Sequence, residues 1–402
     1  MGKKLLLLGG LYYLIPVIES AHKRGIHVIT CDYLPNNIAH KYSDEYHNKS
    51  ILDKDAVLKL AQTLNIDGIM SFAVDPGVET AAYVAEMMNL PFACNYKTAQ
   101  ILQNKDLFRK FLSDHNFNVP EAGTYSDFIS LQNDCHRFTF PVIVKPTDSA
   151  GSKGVTRVDN INDLESAFLI AKKCSFKGNV IVEDFIEQRG YSSDCDSFSI
   201  DGNMILTTFN AQHFDKAAIN QYVPSAYSWP STFSQDEEAY LCAEIQRLSD
   251  LLNLRTSIYN IETRIGTNGK PYIMEFSPRG GGNRLAEMVR YIYGYDMIDA
   301  AVCGALGLEI PAFSRHDIDG FWAEIVLHSD HTNTGKFVRI DISSKFIQYV
   351  KKIDLYIKPG DIIHPFHGAN DAIGTIIICC PTKELLNQAL STQASLSTIV
   401  IE

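Results

Sequence analysis

The chain has 402 residues, of which 46% are hydrophobic and 21% charged, and its formal net charge is −11. That length exceeds what one hydrophobic core usually serves, so two to four subdomains are expected. The acidic balance argues against a general binder of nucleic acid or of anionic membranes.

At the N-terminus, Gly2-Lys3-Lys4 precedes an apolar stretch in the manner of a signal peptide, but Gly9-Gly10 divide the stretch and no small-x-small site follows. No apolar run reaches transmembrane length. The nine cysteines form no C-x-x-C pair, which fits free thiols in a reducing cytoplasm and disfavours zinc. Residues 5–8 read as a buried strand, followed by a helix to about residue 24, a strand over 27–31, a helix over 56–64, a strand over 68–72, a helix over 78–88 and a short strand near 91–92. Strand and helix alternate at a parallel-sheet spacing. Asp32 ends the second strand, yet the glycine pattern G-x-G-x-x-G of a dinucleotide site is absent. Asp75-Pro76-Gly77 lies past a strand's C-terminal end, where open α/β sheets bind ligands; a plain turn explains it equally well.

The segment from Lys105 reads as an amphipathic helix with Leu107, Phe108, Phe111 and Leu112 inward. Residues 140–146 form a buried strand that ends in Lys145-Pro146, and a buried lysine calls for an anion. The small, flexible segment 147–154 could fold over phosphates as a cover through its backbone N–H groups. A strand over 180–186 follows, then a hairpin of 197–200 and 204–209 around Asp201-Gly202, and a helix over 236–252. Beyond Gly307, strands over 321–328, 337–340, 346–350 and 373–379, with a closing helix over 383–390, make a small α+β end-domain.

Residues 258–285 carry the densest chemistry. Asn268-Gly269 between two β-branched-rich runs signals a hairpin. A two-residue turn there pairs Thr267 with Lys270 and sets Glu262 opposite Glu275, with Cβ atoms about 5 Å apart. Opposed carboxylates repel, and a divalent cation would turn that repulsion into binding. Mg²⁺ suits one or two carboxylates plus substrate phosphates. Two solvated glutamates on an edge hairpin are the alternative. Arg279 follows, then Gly280-Gly281-Gly282 and a helix from Arg284, an arrangement that offers N–H groups and a dipole to an anion. Arg264, on the face of Glu262, would hold a substrate carboxylate or pair with one of the glutamates. Gly281, Gly282 and Asn283 would bind the same carboxylate.

The order Lys105, Lys145-Pro146, Gly/Ser loop, Val182-Glu183-Asp184-Phe185-Ile186, Glu262 and Glu275-x-x-x-Arg279 resembles the ATP-grasp superfamily of carboxylate–amine ligases over about residues 1–310. The resemblance implies an α/β (α+β) ATP-grasp fold. It would have a Rossmann-like pre-ATP-grasp domain over 1–95, the ATP-grasp domain over 96–310 with a lid at about 120–190, and a small C-terminal α+β domain over 311–402. It also implies ATP with Mg²⁺, or Mn²⁺ in its place. Lys105 and Lys145 would contact phosphates, and Gly151, Ser152, Lys153 and Gly154 would cover them. Glu183 would take the adenine amino group and Asp184, Phe185 and Ile186 the ring. Glu262 and Glu275 would hold the metal, and Arg279 would neutralise the transferred phosphoryl group. Ser277 stands where the family has a metal-binding Asn. Gly190 stands where it has a ribose-binding Glu, leaving Glu187 or Asp194 for that role. The C-terminal part is similar to that of L-amino-acid ligases.

The implied reaction phosphorylates a small-molecule carboxylate and passes the acyl group to an amine, releasing ADP and phosphate. Neither nucleic acid nor membrane is an expected partner; a homodimer is compatible with the sequence. Bicarbonate as the acid, a nicotinamide-dependent oxidoreductase built on residues 1–95, and a nucleotide-binding regulator without turnover are the competing readings.

Overall fold

A computed structural model describes residues 2–149, 153–314, 316–329 and 334–402. The chain folds as two units, Met1–Val119 with Asp194–Thr208 and Phe233–His316, and Pro120–Ser193 with Phe209–Thr232 and Asp317–Glu402.

The first unit holds two sheets. One is parallel, in the order Glu45–Asn48, His27–Asp32, Lys4–Leu8, Gly68–Ser71. Leu5 to Leu8 have no exposed surface, as a strand covered on both faces requires. Leu6 and Leu8 pack with Ile29, Val57, Ala61 and Val84 from the flanking strand and helices Lys54–Leu64 and Val78–Met87. The other sheet runs Asn203–Thr207, Ser193–Ile200, Ser257–Ile265, Pro271–Ser277. The turn at Asp201 and Gly202 has φ of 49° and 85°, as a type I′ hairpin demands. Helix Gln235–Leu252 starts on a capping box between Ser234 and Glu237.

The second unit is antiparallel. Ala122–Tyr125, Val180–Asp184, Val142–Pro146 and Thr156–Val158 form a four-stranded sheet, whose apolar face packs with helix Leu164–Cys174 through Val144, Val182, Phe168 and Ala171. A five-stranded sheet runs Ala211–Phe214, Pro224–Trp229, Phe321–Leu327, Gly374–Cys380, Val350–Leu355. A two-stranded ladder joins Phe337–Ile342 to Ser397–Ile401. The chain is thus a mixed α/β protein, with its parallel sheet near the N-terminus and antiparallel sheets elsewhere.

Several sequence expectations shift. Residues 91–92 are not in a strand. Phe346 ends a turn on Ser343, Ile347–Tyr349 make a 3₁₀ turn, and the strand begins only at Val350. In helix Lys105–Asp114, Leu107 faces outward at 43% exposure while Arg109 is buried at 4%. The reason is a polar demand inside: Arg109 Nη1 donates to the Met274 carbonyl at 2.7 Å.

Candidate active site

The hairpin of Ser257–Ile265 and Pro271–Ser277 places Glu262 directly opposite Glu275. The route to that register differs from the simple turn. The loop is wider, with Ile265 opposite Pro271 and Gly266 N donating to the Lys270 carbonyl at 2.9 Å. A bulge then shifts the pairing by one. Thr263 faces Ile273, Glu262 faces Glu275, and Met274 is the extra residue. The Arg109 guanidinium satisfies the carbonyl of that extra residue. Beyond the bulge, Asn260 faces Ser277, so Asn260, Glu262, Glu275 and Ser277 share one side of the hairpin.

Cations meet both glutamates. Lys105 Nζ lies 3.2 Å from Glu275 Oε1, and Arg264 Nη2 lies 3.6 Å from Glu262 Oε1. Burial works against the charge on Lys105, but Glu275 more than compensates, and the ammonium is held above its ordinary range. Arg264 therefore makes the salt bridge that competed with a substrate role in the sequence. Among the described residues no group of three or more His, Cys, Asp or Glu side chains gathers as a metal cluster. A pair of opposed carboxylates is nonetheless a fitting donor set for Mg²⁺, which completes its shell with phosphate oxygens and water.

Arg279 lies two residues past the end of the same strand and its side chain is 11% exposed. Asp75 grips it bidentately, with Nε to Oδ1 at 2.8 Å and Nη2 to Oδ2 at 2.7 Å. Arg279 Nη1 also donates to Asn260 Oδ1 at 3.2 Å and to the Gly280 carbonyl at 2.9 Å. Burial disfavours the guanidinium charge, and Asp75, Asp194 and Asp196 outweigh that cost and raise its pKa. Asp75 is therefore more than a turn residue. Its Oδ1 also accepts from the Ser277 hydroxyl at 3.2 Å, and that hydroxyl accepts from Gln103 Nε2 at 2.8 Å.

Past Arg279 the chain must pass very close to its neighbours. A Cβ on Gly280 would sit 2.4 Å from the Phe72 ring, and one on Gly281 2.8 Å from Asn260 and 2.9 Å from Asp196. Asn283 and Arg284 then adopt left-handed conformations, φ 47° and 56°, in succession ahead of helix Leu285–Tyr293. Two such non-glycine residues at one helix entrance mark a place where backbone strain is tolerated for the sake of shape. The Tyr13 hydroxyl donates to Asn283 Oδ1 at 3.3 Å.

Asp196 and Asn260 escaped the sequence reading. Both had a legible signal: Asp194 and Asp196 alternate on one strand face, and Asn260 is two residues before Glu262. Asn260 Nδ2 reaches Asp194 Oδ1 at 2.8 Å and Asp196 Oδ1 at 3.3 Å, and Gly281 N–H donates to Asp196 Oδ1 at 2.8 Å. Burial pushes the Asp194 carboxyl up to about 6 and the Asp196 carboxyl up to about 7. Asp32, the one support for a nicotinamide site, accepts from Leu34 N–H and Asn37 Nδ2 and so shapes its own loop.

In the second unit, Lys145 and Glu183 pair at 2.5 Å on adjacent strands, and both are buried. The Asp184 and Phe185 N–H groups donate to the Glu121 and Pro141 carbonyls, and Arg157 lies over the Phe185 ring. Burial raises the Asp184 carboxyl, opposed by the Thr139 N–H that donates to it. Ile186 and the exposed Glu187 follow this strand. Gly190 has φ of 72°, a left-handed conformation that favours glycine. Lys153 and Gly154 sit in a turn, with a Gly154 Cβ position only 2.8 Å from Cys174; Gly151 and Ser152 lie outside the described residues.

Residues 138–287 match the ATP-grasp domain family. The chain is an ATP-grasp-fold protein. Among curated relatives, it is 23% identical over 270 residues to the carbamoyl phosphate synthase large chain of a Thermoanaerobacter species, covering 62% of this chain and 24% of that one. The chain thus spans about a quarter of that relative's length. Among solved structures it superposes on the phosphoribosylglycinamide synthetase of Anaerococcus prevotii, TM-score 0.79, 21% identity, over 100% of both chains. It also superposes on the L-amino acid ligase of Bacillus licheniformis, TM-score 0.81, 19% identity, over 100% of this chain and 99% of that one.

Proposed function

We propose that this chain is an ATP-dependent carboxylate–amine ligase: it phosphorylates a small-molecule carboxylate, joins the activated acyl group to an amine, and releases ADP and phosphate. The observation that carries this reading is the hairpin floor, with Glu262 opposite Glu275, Lys105 on Glu275, and Arg279 bonded bidentately by Asp75 two residues beyond Ser277. Glu262 and Glu275 would hold Mg²⁺, which when bound supplies charge neutralisation for the phosphates. The rest of the work falls to the chain. Arg279, clamped by Asp75, presents a fixed positive charge to the transferred phosphoryl group and needs little reorganisation as charge moves. Phosphoryl transfer asks for such positioning more than for a protein nucleophile. At the helix entrance Gly282 and Asn283 would bind the carboxylate, while the Gly281 N–H is taken by Asp196 Oδ1.

Lys145, Glu183 and Glu187 are proposed nucleotide residues, together with the Asp184–Ile186 backbone and the 151–154 segment. Glu187 is favoured over Asp194 for the ribose because it is exposed and closely follows the strand that carries Glu183. Amino acids as substrates are favoured by the likeness to the L-amino acid ligase. Bicarbonate as the acid is the second reading, favoured by the likeness to carbamoyl phosphate synthase. No helix among the described residues is long and apolar enough to cross a membrane. With nine free cysteines, a cytoplasmic setting fits best. Phosphate release from ATP–Mg²⁺ that requires both a carboxylate and an amine would support the proposal. Release with bicarbonate alone would transfer it to the second reading.

A further inference from the structure

Three carboxylates surround one guanidinium in the first unit. Asp75 takes the Nε–Nη2 edge of Arg279, and Asp194 and Asp196 reach its Nη1 through Asn260. Asp196 has no exposed surface, and its Oδ2 is buried without a hydrogen-bond partner. A buried carboxylate oxygen left unmatched costs free energy, so a fold that keeps one has a use for it. Asp194, on the same strand face, retains partial exposure. Gly281 is held to glycine by the closeness of Asp196 and Asn260, and its N–H fixes Asp196 Oδ1, leaving Oδ2 as the open acceptor. The groups facing Asp196 are Asp194, Asn260 and the Gly281 N–H, with Arg279 beyond them and the Cys195 thiol adjacent in sequence; among the described residues Arg279 is the cation that acts on Asp196, and it already serves Asp75.

We propose that Asp194 and Asp196 form the amine subsite, binding the incoming amine as its ammonium and accepting, at Asp196 Oδ2, the proton that must leave before the nitrogen can attack. This rests on the ligase reading above. An ammonium brings three N–H donors and one positive charge, which suits two carboxylates with an excess of negative charge. In the chemical step the ammonium first gives one proton to Asp196 Oδ2, and the lone pair so freed forms the C–N bond at the acyl carbon. The bond from that carbon to the phosphate oxygen breaks, its electron pair leaving on phosphate together with the second N–H proton, so Asp196 takes part only in the first transfer. A carboxyl that burial has brought near neutrality is matched to that transfer.

The test uses the full chain, ATP–Mg²⁺ and a pool of proteinogenic amino acids, with two readouts. Ligation product is measured by mass spectrometry, and acyl phosphate is trapped as hydroxamate by excess hydroxylamine, an amine that is uncharged at neutral pH and needs no ammonium subsite. Asp196→Asn keeps the shape and the bond to Gly281. Its ligation rate is expected to fall by about 10²-fold or more, with hydroxamate formation close to wild type. Asp194→Asn, at the more exposed carboxylate, is expected to raise the amine KM about 10-fold with hydroxamate formation unchanged. Wild-type ligation by Asp196→Asn, or equal loss of both readouts in that variant with Asp194→Asn unaffected, overturns the subsite. A wild-type chain that yields neither product nor hydroxamate removes the ligase reading, and the subsite with it.

Discussion

Replacing Asp196 by Asn changes stability in a way that depends on pH, and the sign follows from burial. The native carboxyl stands at about 7 because burial raises it, against the lowering effects of the Gly281 N–H, Arg279 and Asn260. In the unfolded chain an aspartate titrates near about 3.9. Between those values the native state holds a proton that the unfolded state has released. Wild-type stability therefore falls as pH rises from about 4 to about 7, and the full penalty is present above 7. About three pKa units at about 1.4 kcal/mol each give an upper bound of about 4 kcal/mol, lowered to the extent that Asp194 and Asp196 raise each other. The Asn variant has no such titration. Its amide leaves one N–H group unmatched where Oδ2 stood, a cost of about 1–3 kcal/mol, but that cost is the same at every pH. Urea unfolding followed by circular dichroism at pH about 4.5, 6 and 8 separates the two effects. The variant should gain on wild type by about 2–4 kcal/mol from the lowest pH to the highest. A difference flat with pH refutes the reasoning. So does a variant that loses ground as pH rises, which would mean that Arg279, and not burial, governs the carboxyl.

Three further expectations follow from the same floor. Arg109→Leu leaves the bulged Met274 carbonyl without its donor and should destabilise the chain by about 1–3 kcal/mol in urea unfolding. Gly281→Ala drives a methyl group against Asn260, Asp196 and Leu285; a loss of about 1–3 kcal/mol in thermal unfolding, with loss of turnover, is expected. Arg279→Lys keeps the charge but gives up the two-pronged bond to Asp75, and should lower kcat by about 10²-fold or more in a phosphate-release assay while the KM for ATP stays near wild type.

Much of the site was readable because strands keep a two-residue period. Glu262 and Glu275 were set opposite each other by counting from Asn268-Gly269, and they are opposite. The count succeeded through two departures that offset each other, a wider loop and a bulge at Met274. Nothing local in the sequence announces that bulge. Its stabiliser is Arg109, more than 150 residues away, which also explains why a helix that seemed to turn Leu107 inward turns an arginine inward instead. Asp75 shows the same limit. Its position past a strand end was visible, but the bidentate bond to Arg279 joins residues 204 apart. The Glu45–Asn48 strand carries little pattern of its own and exists because a neighbouring strand pairs with it, whereas Ser397–Ile401, with four β-branched residues in a row, carried a strand signal that the sequence reading passed over. By contrast, the leucine run at 5–8 and the Asp201-Gly202 turn state their conformations locally, and the fold follows them.

The central claim concerns the opposed glutamates, and the most direct measurement is phosphate release from ATP–Mg²⁺ by wild type and by Glu275→Gln, across pooled carboxylates and amines. Gln keeps the size of Glu275 but removes the charge that pairs with Lys105 and would hold the metal. The account predicts release by wild type that requires both substrates, and a fall of at least about 100-fold in the variant, partly recovered by raising Mg²⁺. Equal rates in the two proteins on an accepted substrate pair would contradict it.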